Sequence, residues 1–143
     1  FKPLVKLYRR AAERNGHDPD QLIIASHSHG FVAETTDIAA EKFFPSTQYA
    51  MNVIGRERGW GEYTRETFDH ARSFAGALYV GDPQTVAEKI IFLRKELGIK
   101  RFMMHTPVGS MPHEDVMRSI ELLGKEVAPI VRREIAKWEQ EEQ

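Results

Sequence analysis

The segment from Gly81 to Pro129, GDPQTVAEKIIFLRKELGIKRFMMHTPVGSMPHEDVMRSIELLGKEVAP, constrains the fold more than any other stretch of the chain. It carries the punctuation of a helix, a strand and a second helix in close succession. Asp82 is suited to cap the first helix, because its carboxylate can accept from the free amides of the first turn. Pro83 follows at the position where a missing N–H costs nothing. Val86, Ile90, Leu93 and Leu97 recur at helical spacing and mark one face. Gly98 stands where the chain must take a positive φ to leave the helix. Arg101 to Thr106 is short and mostly apolar, as expected of a strand covered on both faces. Pro107, Gly109 and Pro112 define a loop, and from His113 a second stripe begins with Val116, Ile120, Leu123 and Val127. Such a unit belongs to a parallel α/β protein, where the loop after a strand is the usual place for chemistry.

The rest of the chain supplies more pieces of the same kind. Lys2 to Arg14 reads as a helix with Leu4, Leu7, Tyr8 and Ala11 on one face and Gly16 after its end. His17-Asp18-Pro19-Asp20 is a turn. Leu22 to Ala33 reads as a strand, apolar at first and polar through Ser26, His27, Ser28 and His29. Strand alternation puts His27 and His29 on one side and the two serines on the other. The run TTDIAAEKFF opens a helix that Pro45 is expected to kink or end. Gly55 to Gly61, with Arg56, Arg58 and Trp60, reads as a long loop. Thr64 caps a helix from Arg65 to Phe74, and Ala77 to Val80 is a short apolar lead-in or strand. Ile130 to Gln143 reads as a charged helix whose WEQEEQ tail frays.

The runs GDPQTVAEKI and RFMMHTPVGSMPHEDVMRSIELLGKEVAP, preceded by HSHGFVAETTDIAAEKFFP and IGRERGW, resemble the C-terminal end of bacterial luciferase-like monooxygenases. The resemblance covers nearly all 143 residues but only the last third or so of a typical family member. It implies a flavin-dependent oxidoreductase and an α/β fold: the C-terminal fragment of a (βα)8 barrel, helix-rich, with two or three parallel strands. Residues 1–143 would then form a single domain, and the missing strands lead one to expect self-association or rearranged helices. The chain opens on Phe1 and is shorter than the roughly 250 residues of a full barrel, which fits the same expectation.

The resemblance also implies roles. Some family members carry an active-site histidine on the strand before the ETTDIAAE-like helix, and the matching position here is His29. His27, His105, Thr106, Gly109 and Ser110 would line the cofactor or substrate cavity, and Arg56, Arg58 and Trp60 would form part of a mobile lid. The expected cofactor is FMN, or else a deazaflavin. Reduced cofactor would come from a flavin reductase or from NAD(P)H, and O₂ would oxygenate a small organic substrate. Read without the family, the histidines are proton shuttles near neutral pH or a pair of structural strand-end imidazoles. Gly109 and Ser110 are equally explained as turn and helix-start residues.

Composition narrows the remaining classes. The net charge is −1, from 20 basic and 21 acidic residues mixed along the chain, so neither nucleic acid nor an anionic membrane surface is expected as a partner. Cysteine is absent, which excludes disulfides and thiolate chemistry. The three histidines lack an HExxH spacing or a tightly spaced carboxylate, so no metal is assigned. No apolar run reaches the ~20 residues of a membrane span. A cytoplasmic protein that forms homo-oligomers is the expectation. The alternative is a non-catalytic α/β module without a complete flavin site.

Overall fold

The computed structural model describes residues 1–141. Its sheet has three parallel strands, β1 (Ala25–Val32), β2 (Tyr79–Gly81) and β3 (Arg101–His105), in the order β2-β1-β3. Ala25 to His29 of β1 pair with Arg101 to His105, and Gly30 to Val32 pair with Tyr79 to Gly81. The class is the expected one, α/β with parallel strands joined through helices. The strand order adds something: around a closed (βα)8 barrel, strands follow one another in chain order, whereas here the first strand lies in the middle.

Local chemistry sets the helices. Helix α1 is Lys2–Arg14, α2 is Thr36–Arg58, α3 is Arg65–Arg72 and α4 is Pro83–Leu97. Helices α5 (His113–Leu122) and α6 (Ala128–Glu141) are joined by a π-helical turn, Leu123–Val127. Asp82 caps α4 by accepting from the Thr85 amide at 2.9 Å, and Gly98 leaves it at φ 66°. Thr64 caps α3 by accepting from Thr67. Pro129 does not interrupt the helical run; the wider turn sits just before it, where its missing N–H drops out of the ladder. The tail is helical through Glu141, and the last two positions of the expected frayed end lie outside the described residues.

Two expectations about α2 are corrected. Pro45 does not end it, and the expected loop at Gly55–Gly61 is helical through Arg58 before Gly59 turns it at φ 71°. Pro45 and Glu41 are exposed, so water can serve the carbonyl that the proline leaves unbonded. On the opposite side Ala39, Ala40, Phe43 and Thr47 are buried, and that packing outweighs the local cost.

The sheet is layered unequally. On one face α4, the end of α5, the π turn and α6 cover Val32, Tyr79, Phe102 and Met104 with Val86, Ile90, Leu122 and Val127. On the other, Phe31 and Val80 lie under Ala39, Phe43, Phe68 and Val108. Farther down that second face, Ala25, His27, Arg101, Met103 and His105 are exposed. Thus β3 is covered on one face only, not on both as its apolar composition suggested. The α5 stripe also differs from the expected Val116, Ile120, Leu123 and Val127. Ile120 is 48% exposed while Ser119 and Leu122 are buried. Ser119 turns inward because its hydroxyl accepts the buried Val32 amide at 2.8 Å.

Lys89 of α4 is 2% exposed, deep among apolar neighbours. Its ammonium donates to the carbonyls of Ser73 at 2.7 Å, Leu78 at 2.5 Å and Arg72 at 3.3 Å, and lies 5.0 Å from the centre of the Tyr79 ring. One cation therefore ties the end of α3 and the approach to β2 onto α4. Burial pulls its pKa down to about 8. Replacing it with methionine leaves three carbonyls without their donor. We expect Lys89→Met to lower unfolding free energy by about 2–4 kcal/mol in urea denaturation at pH 7. An unchanged midpoint would contradict this role.

Candidate active site

Strand pairing brings together three side chains that lie far apart in the chain. His29 and His105 are register partners on neighbouring strands, and His27 lies one alternation below on the same face. The His29 and His105 rings stack with centroids 4.7 Å apart, His27 and His105 stack at 5.6 Å, and His27 and His29 are tilted at 6.4 Å. His29 is the inner member. Its Nδ1 is buried and has no hydrogen-bond partner. Burial lowers the pKa of His29, and the neighbouring His105 and His27 push it the same way. The imidazole is thus held neutral, able to take or give a proton at an atom that nothing else occupies.

His27 and His29 also border a groove of about 510 Å³ alongside β1, whose far wall includes Tyr79, Lys89 and Phe92. Among the described residues, no group of three or more His, Cys, Asp or Glu is arranged to hold a metal ion.

The remaining candidates fall differently. Thr106 is buried directly after β3, and Ser110 is exposed in the following loop. Gly109 takes φ 60°, and a Cβ there would stand 3.1 Å from the Ser46 carbonyl. Its small size accommodates the backbone of α2. Arg56 and Arg58 ride on the last turns of α2, not on a loop, and the Arg58 guanidinium lies 5.3 Å from the centre of the exposed Trp60 ring. No hydrogen bond, ion pair or ring contact links these three to the histidines among the described residues. Sequence reading passed over Lys89, although it sits three residues after Val86 and four before Leu93, on the stripe that α4 buries.

No protein-family model and no curated protein matches the chain. Solved structures do match its fold. Monooxygenase RslO1 from Streptomyces bottropensis superposes with a TM-score of 0.72 at 23% identity, over 90% of this chain and 37% of that one. The oxygenating constituent of 3,6-diketocamphane monooxygenase from Pseudomonas putida, a type II Baeyer-Villiger monooxygenase solved in complex with FMN, gives 0.62 at 24%, over 91% and 39%. The coenzyme F420-dependent tetrahydromethanopterin reductase of Methanopyrus kandleri gives 0.54 at 22%, over 87% and 40%. The chain therefore spans about two-fifths of the structures that it matches. The fold is that of part of the luciferase-like barrel proteins.

The electrostatics of His29 can be read from stability. Its folded pKa lies below the unfolded value, so as the pH falls the unfolded chain takes up the proton first. Stability from this group is full above about pH 6.5 and declines below it. We expect the urea midpoint of the native chain to fall relative to that of His29→Gln between about pH 7 and 5. Parallel pH profiles for the two proteins would show that His29 is not desolvated.

Proposed function

We propose that this chain forms the C-terminal portion of a luciferase-like, flavin-dependent monooxygenase in which His29 is the proton-handling group. The observation that carries the proposal is the buried, unpartnered Nδ1 of His29 on a parallel-strand platform. The likeness of that platform to part of solved monooxygenases supports it. One of those structures contains FMN and another protein is named for F420, which favours FMN here, with a deazaflavin as the other choice.

The residues present fit one wall of such a cofactor site. The stacked imidazoles of His27, His29 and His105 and the open half of the sheet can face a planar heteroaromatic ring. A phosphate finds less. Gly109 lies close to the backbone of α2, Thr106 is buried, and Ser110 offers an exposed hydroxyl. The phosphate contacts are therefore assigned to other parts of the barrel. When bound, a reduced flavin supplies the electrons that activate O₂.

The work of this chain is local. His29 holds or accepts a proton at Nδ1, and its neutrality is maintained by burial and by the two neighbouring imidazoles. Arg56 and Arg58, beside Trp60 at the end of α2, would meet an anionic group of a small organic substrate. Electrons would come from NAD(P)H or a flavin reductase, in a homo-oligomeric cytoplasmic enzyme. Among the described residues no helix is long and apolar enough to cross a membrane. The second reading is a non-catalytic α/β module, and the sparse phosphate contacts favour it.

The test uses the longest natural reading frame that contains this chain, loaded with FMN and supplied with reductant. His29→Ala should lower kcat by about 10²–10⁴-fold, the usual worth of a positioned proton-transfer group, with little change in FMN affinity. Undiminished turnover would remove His29 from the chemistry. A protein that folds but never takes up flavin would favour the module.

A further inference from the structure

The methionines of β3 and its following loop are placed very differently. Met104 packs against the core on the helix-covered face of the sheet, and Met111 packs against the core on the other. Met103 does neither. It is 45% exposed, and strand alternation sets its side chain on the face that carries the histidines. There it is the register partner of His27, one strand spacing of about 4.8 Å away, and it stands one alternation below His105. The His27 and His105 rings are themselves 5.6 Å apart. A flexible thioether thus adjoins two imidazoles at the border of the candidate site.

The characteristic reaction of an accessible thioether is oxidation to the sulfoxide. With hydrogen peroxide as oxidant, the sulfur lone pair attacks one peroxide oxygen and the O–O bond breaks. The departing oxygen needs a proton to leave as water, and the new S–OH group must lose one to become the sulfoxide. Sulfur gives up an electron pair, peroxide is reduced to water, and no net proton is consumed. An imidazole can supply the first proton and take back the second, because it exchanges protons near neutral pH. His27 and His105, both exposed, are the imidazoles that adjoin Met103 in the register.

We propose that Met103 is a peroxide-oxidation site in which His27 and His105 shuttle the proton, and that its sulfoxide is a reversible modification of the histidine site. The sulfoxide presents a strong acceptor oxygen where the thioether is only a weak acceptor. An imidazole N–H can donate to that oxygen, so the histidine cluster reads the oxidation state of its neighbour directly. Hydrogen peroxide is also what O₂ becomes when it takes up two electrons and two protons with no substrate to oxygenate. The site would therefore meet its oxidant during unproductive turnover. That consequence rests on the flavin reading; the reaction of Met103 with peroxide does not.

The test treats the longest natural reading frame that contains this chain with dilute hydrogen peroxide and follows each methionine by peptide mass. Met117, 51% exposed on α5, reports the peroxide dose. In His27→Gln/His105→Gln, oxidation of Met103 should slow by at least about tenfold while that of Met117 is unchanged. Ring resonances of His27 and His105 should shift on oxidation of the native protein and return after methionine sulfoxide reductase. In Met103→Leu, the same treatment should leave them in place. The proposal is overturned if Met103 stays reduced while Met117 is oxidised, or if the double variant leaves the Met103 rate unchanged. It is equally overturned if the ring shifts persist in Met103→Leu, a comparison that decides alone should the double variant misfold. A Met103 inert to peroxide in a protein that still turns over with FMN would strike this proposal and leave the role of His29 standing.

Discussion

β1 is the one strand among the described residues with partners on both sides, and the rest of the molecule is hung from it. Its lower half holds β3 and its upper half holds β2. Each helix layer packs against residues that this double pairing brings into line. The pairing also divides the sheet's second face. Above Gly30, the face is closed by Phe31, Phe43, Phe68 and Val80; below it, the face is open and carries the histidines. A parallel sheet is normally covered on both faces, so the uncovered half is where this fold leaves room for something else.

A few long-range polar contacts fix that arrangement. Ser119 accepts the Val32 amide and so docks α5 beneath the end of β1. The Thr36 hydroxyl donates to the Asp82 carboxylate at 2.6 Å, joining the starts of α2 and α4 at the ends of adjacent strands. Lys89 holds the end of α3 and the entry to β2. Each satisfies buried or half-buried groups that would otherwise lose hydrogen bonds on folding. Removing any one would disturb the relation between two elements more than the elements themselves.

The histidine cluster follows from register as well as from composition. A shift of one residue between β1 and β3 would send the His105 ring to the opposite face. With the observed register, three imidazoles share a small volume, and burial keeps the innermost one neutral. Its unpartnered Nδ1 is costly for a purely structural residue. That cost is what makes His29 a candidate for chemistry in place of packing.

Features governed by near neighbours in the chain were legible from the amino acids. The Asp82 cap, the Gly98 exit, the α4 stripe and the alternation of His27 with Ser26 each depend on energies within one or two turns. Pro45 misled because its local penalty of about 3 kcal/mol is outweighed by the packing of Phe43 and Thr47, which no local rule contains. Ile120 misled for a similar reason: a hydrogen bond from a distant strand rotates Ser119 inward. Gly109 offered freedom of approach, and the fold used it for α2. The sequence by itself therefore determined that helices alternate with parallel strands and that those strands would carry the histidines, while the ends of α2 and β1 were set elsewhere. Only the tertiary structure decided which strand lies in the middle, which face stays open and which imidazole is buried. Those outcomes depend on contacts between residues tens of positions apart, whose energies exist only once the chain has closed on itself.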